Sequence, residues 1–314
     1  MIIDAHSHIF PEVHGEVAGG LTRSAGYGRI KIGKERVLQL MPPHGRETTF
    51  PLEAMLANLH WAGVRRAVLL QGTYYGECDD YVGDAVAAYP DRLVGALWCD
   101  PWRKGFREYF EEKVDSGRYA IGKIEFSVGN GLSGLHPGAR LDDPEVQWLW
   151  SELARRGMTL TLDLGPTTKP AYQTDAVRAL IAANPDLRVV LAHLCFPHPR
   201  FDSEPELRRR WEDQLSLVDT GQVWFDTASL PALVQEQGGV EDFPYPTVAV
   251  WLAEGIDRVG VDRLMWGTDQ PGMLHHLNYP QMLRLAQLHM EHLSSEEREM
   301  VLGDTAKRVY FHEA

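Results

Sequence analysis

Eight times along this 314-residue chain a short run of β-forming residues gives way to a segment of helical periodicity, and this alternation limits the fold more than any other feature. After an opening run that ends in Asp4-Ala5-His6-Ser7-His8, the β runs are Val64–Leu70, Leu93–Trp98, Ile121–Phe126, Met158–Leu164, Leu187–Ala192, Val223–Thr227 and Leu264–Gly267. Several are nearly continuous in apolar residues, as strands covered on both faces must be. Helical patterns fill the intervals: Pro51–Ala62, Asp79–Ala88, Gly105–Ser116, Pro144–Arg156, Thr174–Ala183, Glu204–Val218, Thr247–Val259 and Tyr279–His289. Thr49 ahead of Pro51 and Asp143 ahead of Pro144 are start signals, and Gly63 and Gly157 are stops. The pattern predicts a (β/α)8 TIM barrel, an α/β fold, with Ser294–Tyr310 as an appended C-terminal helix. A doubly wound open sheet would want a glycine-rich phosphate loop after its first strand, and none is present.

No repeat, charge run or low-complexity linker divides residues 1–314, which read as a single domain. One connection is out of proportion. Residues 10–48, directly after the first strand, are rich in glycine and proline and far longer than a typical βα connection. In a barrel this segment sits on the catalytic face, either as a surface excursion or as a pocket wall. Its cations Arg23, Arg29, Lys31 and Arg46 offer a local positive wall for a substrate carboxylate, with Arg46 the expected contact. They stand against 44 acidic and 31 basic residues overall, a net charge of −13 that repels nucleic acid and anionic membrane surfaces. Cys78, Cys99 and Cys195 are far apart, so neither a disulfide framework nor a thiolate metal site is indicated. With no signal-peptide pattern and no apolar run of bilayer length, the expectation is a cytoplasmic protein acting on a small molecule, with a homo-oligomer left open.

Barrel strands converge at their carboxyl ends, and here those ends carry polar groups. His6 and His8, two apart on one strand, can aim both imidazoles at one point, an arrangement suited to Zn²⁺ if a further ligand joins them. Lys123 and Glu125 lie on the fourth strand, Asp163 on the fifth, His193 after the sixth, Asp226 on the seventh and Asp269 after the eighth. Charged groups are rarely buried without partners, and a divalent cation would satisfy several at once. Lys123 and Glu125 are equally explained as an ion pair filling the barrel, and Asp226 is best read as a hydrogen-bonding residue. His198, His275 and His276 follow strands six and eight and are candidates to touch substrate, His276 foremost; Cys195 reads as a small apolar filler. Tyr74, Tyr75, Trp98 and Trp102 are candidates for an aromatic rim.

The motifs Asp4-Ala-His6-Ser-His8-Ile-Phe10, Leu191-Ala-His193-Leu, Trp266-Gly-Thr-Asp269-Gln-Pro and Gly303-Asp-Thr-Ala-Lys-Arg-Val-Tyr310 resemble the amidohydrolase superfamily, in order and over nearly the whole chain. More narrowly they resemble the amidohydrolase-related branch that includes aminocarboxymuconate semialdehyde decarboxylase. The resemblance implies that His6, His8 and Asp269 ligate one divalent metal, most often Zn²⁺, with His193 beside it to polarise substrate or transfer a proton. Many members place a ligand histidine at the end of strand five, where this chain has Asp163. Asp163 is therefore expected as a carboxylate ligand or within reach of one, which would favour Mn²⁺ or Fe²⁺ beside Zn²⁺. Some lactone-cleaving relatives in the branch work without metal.

Two reactions fit these residues. In a metal-dependent hydrolase the ion lowers the pKa of water, Asp269 accepts the proton, an amide, lactone or related carbonyl is attacked, and His193 stabilises the oxyanion. In a metal-dependent non-oxidative decarboxylase of a small unsaturated or aromatic acid, the same ligands hold substrate oxygens while a protonated group delivers a proton to carbon. A binding protein on an inactive barrel is disfavoured by the complete set of His6, His8, His193 and Asp269.

Overall fold

The computed structural model describes residues 1–43 and 45–313. Eight parallel strands form the barrel: β1 (Ile3–Ser7), β6 (Arg66–Leu69), β7 (Leu93–Trp98), β8 (Ile121–Glu125), β9 (Thr159–Asp163), β10 (Arg188–Leu191), β11 (Val223–Asp226) and β12 (Leu264–Met265). Each pairs with the next in that order. The ring closes between its two ends: Ala5 N–H donates to the Trp266 carbonyl at 2.9 Å, Asp269 N–H to that of His6 at 2.7 Å and His8 N–H to that of Gln270 at 2.9 Å. Helices sit between successive strands as expected, the first, Leu52–Ala62, ending at Gly63 in the left-handed conformation (φ 71°) that glycine adopts without strain.

Alternate residues of the strands face inward. Ile3, Ala5, Val68, Leu70, Val94, Ala96, Ile121, Val190 and Met265 form an inner cluster that Ala306, Val309 and Tyr310 of the C-terminal helix complete. Tyr310 OH lies 2.9 Å from Thr161 Oγ1, and Thr159 Oγ1 donates to the Val309 carbonyl at 2.9 Å. The C-terminal segment therefore plugs the floor of the barrel. It runs as Ser295–Glu299, a π-helical turn over Met300–Asp304, and Thr305–Tyr310. With the floor filled by side chains, the mouth is the end left for chemistry.

β1 does not keep a strict alternation. Asp4 pairs with Ala67 and Ser7 with Leu69, so three steps along β1 match two along β6, and one extra residue is accommodated as a bulge. Asp4 and Ser7 consequently face the helical layer together, where Ser7 Oγ donates to Asp4 Oδ2 at 2.8 Å. Ala5 packs in the inner cluster, and His6 and His8 also turn inward, onto the cavity. Asp4 is wholly buried and accepts further bonds from the Thr268 N–H (2.9 Å) and hydroxyl (2.6 Å) and from Tyr279 OH (2.8 Å), stapling β1 to the segment after β12.

Residues 10–48 are not an irregular loop. They contain β2 (Glu16–Val17), β3 (Gly20–Gly26), β4 (Arg29–Ile32) and β5 (Arg36–Gln39), a four-stranded antiparallel sheet. The alternation Arg29-Ile30-Lys31-Ile32 buries its two isoleucines and exposes its two cations, and Arg23 pairs across from Lys31 on the same exposed face. Short added helices, Leu132–Leu135 and Leu230–Glu236, follow β8 and β11. Among the described residues no helix is long and apolar enough to cross a membrane.

Candidate active site

The residues at the carboxyl ends of β1, β8, β9 and β10, with Asp269 after β12, line one cavity of about 220 Å³ at the barrel mouth. Each of three imidazoles is fixed through its Nδ1. His6 Nδ1 lies 3.0 Å from Asp226 Oδ2, His8 Nδ1 3.0 Å from the Leu70 carbonyl, and His193 Nδ1 3.1 Å from the Ala228 carbonyl. These acceptors call for Nδ1–H, which leaves Nε2 of each ring as the atom turned to the cavity. Burial pushes the His6 pKa down to about 4 against the pull of Asp226, so His6 Nε2 carries a lone pair at neutral pH.

Asp269 completes the cluster. Its Oδ1 is 2.9 Å from His8 Nε2 and 3.8 Å from His6 Nε2, and its Oδ2 accepts the Ser229 hydroxyl. Although burial opposes ionisation, His8, His6 and His193 hold its carboxyl well below the usual carboxylate range. One ligand atom from each of His6, His8 and Asp269 lies within 4.8 Å of the others, the spacing of a metal site. His6, His193 and Asp226 lie equally close to one another, but Asp226 is fully buried with its oxygens committed. Oδ1 accepts the backbone N–H groups of His193 (2.9 Å) and Ala228 (3.1 Å), and Oδ2 faces His6. Asp226 is thus a support that orients the ring of His6, whereas Asp269, its side chain 24% exposed, faces the cavity.

Asp163 stands outside both clusters. Its Oδ2 is 3.4 Å from His193 Nε2, and its Oδ1 accepts the Gly165 N–H at 2.9 Å. Burial opposes protonation of His193, yet Asp163 beside it, with Asp226 and Asp269 behind, draws its pKa up to about 9. The same contact holds Asp163 below its ordinary value in spite of burial. At that value His193 is a cation at neutral pH.

The other expected residues divide. Lys123, Glu125 and His276 line the cavity, together with His275, Tyr74 and Tyr75. Lys123 and Glu125 are both buried but form no ion pair, Lys123 Nζ having no hydrogen-bond partner among the described residues and Glu125 Oε2 accepting the Thr73 N–H at 3.0 Å. Burial, with Asp163 as a neighbouring negative charge, raises the Glu125 pKa. Arg46 does not reach the site: it is exposed and absent from the cavity wall, as are Arg23, Arg29 and Lys31. The segment supplies Leu38, Gln39 and Leu40 to the wall instead: β-alternation turns Arg23, Arg29 and Lys31 to an exposed face, and Arg46 lies beyond the last strand of the sheet in an exposed bend. His198 and Cys195 are buried away from the cavity, and Trp98 and Trp102 do not line it.

Sequence reasoning passed over Ser229 and Glu236, which line the cavity from beyond β11. Counting polar residues a few positions past each strand end would have found Ser229. Its backbone (φ 60°) and those of His193 (φ 58°) and Asp269 (φ 61°) are left-handed, a conformation costly for residues with a Cβ and typical of functional sites.

The model of the amidohydrolase family matches residues 3–311. The chain belongs to the amidohydrolase family. Solved structures of similar fold span the amidohydrolase chain almost end to end. A probable 2-pyrone-4,6-dicarboxylic acid hydrolase from Acinetobacter baumannii, with citric acid bound, shares 17% identity at a TM-score of 0.70 and covers 99% of each chain. An amidohydrolase from Burkholderia multivorans with bound zinc also shares 17% identity, at a TM-score of 0.71 and 99% coverage of each chain. A 2,6-dihydroxybenzoate decarboxylase from Rhizobium shares 13% identity at a TM-score of 0.61, covering 85% of this chain and 90% of its own. At these identities the likeness is one of fold. No curated protein matches the sequence significantly.

Proposed function

We propose that this amidohydrolase is a metal-dependent hydrolase that opens an amide, lactone or related carbonyl of a small molecule with water. The observation that carries this reading is the convergence of His6 Nε2, His8 Nε2 and Asp269 Oδ1 at the cavity, with both histidines fixed by acceptors on Nδ1. Two imidazole nitrogens and one carboxylate oxygen are the donor set of a first-row divalent ion, Zn²⁺ foremost, with Mn²⁺ or Fe²⁺ as alternatives. When bound there, such an ion supplies Lewis-acid polarisation of the carbonyl and makes water more acidic.

The protein's own groups supply the rest. Asp269, ionised and exposed to the cavity, accepts the proton of the attacking water through its carboxylate. His193, held as a cation by Asp163, donates from Nε2 to the oxygen on which negative charge develops. Asp163 therefore acts through His193, while Asp226 and the Leu70 carbonyl keep the ligand rings in place. The zinc-bound and 2-pyrone-4,6-dicarboxylic acid hydrolase structures among those of similar fold support this reading.

Decarboxylation of a small unsaturated or aromatic acid is the second reading. The decarboxylase of similar fold and the protonated His193 favour it, since the same cation can deliver a proton to carbon. The deciding experiment assays the metal-loaded and chelator-treated protein against lactones, amides and aromatic acids, with acid release and carbon dioxide release followed in parallel. Metal-dependent acid release without carbon dioxide supports hydrolysis; carbon dioxide release supports the second reading; activity unchanged by chelation refutes the metal site.

A further inference from the structure

Lys123 is among the largest fully buried side chains of the protein, 1% exposed, and its Nζ has no hydrogen-bond partner among the described residues. It lies on β8 one inward step deeper than Glu125, on the face that Ile121 contributes to the barrel core. The register sets Lys123 beside Thr161 and Glu125 beside Asp163. Lys123 lines the same cavity as His6, His8 and Asp269, and it is the one lysine or arginine to do so among the described residues.

A buried ammonium without an acceptor costs several kcal/mol, and proteins relieve that cost by pairing the charge. The carboxylates nearest along the strands do not pair with it. Glu125 Oε2 is committed to the Thr73 N–H, and Asp163 to His193 and the Gly165 N–H. Its ammonium is thus left buried in the wall of the cavity with no acceptor among the described residues. An anionic group on a bound molecule would satisfy it.

We propose that Lys123 is the anion-recognition residue of the cavity and that the substrate carries a carboxylate besides the carbonyl that reacts. This rests on the reading of the cavity as the substrate site and narrows the substrate class to small organic acids. The recognition feature sought among the cations of residues 10–48 is thus provided from inside the barrel. Lys123 is a single ammonium on a strand, so it recognises one carboxylate as a point charge rather than through a two-pronged guanidinium contact. Its depth favours short acids over bulky ones.

The test uses purified full-length protein as parent, Lys123→Met and Lys123→Gln, with malonate, succinate and glutarate as probes beside their neutral diamides. Calorimetry measures binding, thermal unfolding measures stability, and metal content is determined for every sample. The parent should bind at least one dicarboxylate about tenfold or more tighter than its diamide, and both variants should lose that preference while keeping the parent's metal content. In the absence of ligand Lys123→Met should melt no lower than the parent, because an unpaired buried charge has been removed. The proposal is overturned if no dicarboxylate is preferred by the parent, if the variants keep the preference, or if both variants melt markedly lower or fail to fold, which would make Lys123 a counter-charge to Glu125 and Asp163. Carboxylate binding through Lys123 in protein that takes up no divalent ion would refute the metal-dependent reading and leave this subsite standing.

Discussion

Nε2 of His193 lies 3.4 Å from Oδ2 of Asp163, and this contact across the ends of β9 and β10 draws the His193 pKa up to about 9. The two residues come from strands adjacent in the barrel but 30 positions apart in the chain. The two histidines differ accordingly: burial lowers the pKa of His6, and Asp163 raises that of His193.

Asp163→Asn should leave metal content at the parent level while lowering kcat by about 10²–10⁴-fold with a smaller change in KM, since it removes the charge that keeps His193 protonated. Elemental analysis and steady-state kinetics check this. Loss of the metal would make Asp163 a ligand, one of the two places the family resemblance left open for it.

Asp226→Asn should weaken metal binding about 10–100-fold without touching the cavity wall, because Asp226 fixes the ring of His6 through Nδ1. Competition against a chromophoric chelator measures the affinity. Equal affinity in parent and variant would mean that the His6 ring is held without it.

Gly267→Ala should lower stability by about 1–3 kcal/mol and weaken metal binding together. A Cβ at Gly267 would sit 2.8 Å from His6 Cβ and 3.1 Å from His6 N, too close for either strand to stay in place. Urea unfolding and the same chelator titration read both effects; a variant as stable as the parent would show that β1 and the segment after β12 can separate freely.

Asp79 gives the clearest pH dependence away from the cavity. Burial raises its pKa from the ordinary 3.8 to about 6, against the bonds it accepts from Trp98 N–H, Tyr109 OH and Gln71 Nε2. A raised acid favours the folded state most when protonated, so this contribution is complete below about pH 4 and is lost as pH rises through about 6. Thermal melts of Asp79→Asn should vary less than the parent's across that window, with the variant gaining on the parent by at most about 3 kcal/mol between pH 4 and 7. Parallel curves for the two proteins would show that Asp79 does not titrate there.

The sequence by itself determined the barrel and the inventory of its chemistry. Strand and helix follow from local periodicity, and the polar residues ending Val-Val-Leu191-Ala-His193 or Met265-Trp-Gly-Thr-Asp269 stand out because apolar strands seldom end so. Even the sheet within residues 10–48 had a local signal, in Arg29-Ile30-Lys31-Ile32, hidden by the glycines around it.

Only the tertiary structure decided what those residues do to one another. A one-residue bulge lets Ala5 and His6 both turn inward, which no alternation rule foresees. The closure of the ring brings Asp269 to histidines more than 250 positions away, and the register of β8 with β9 leaves Lys123 without an acceptor among the described residues. Binding chemistry depends on distances between side chains and on which hydrogen bonds are already taken. Those are set when strands remote in sequence pack side by side, and residue order carries no record of them.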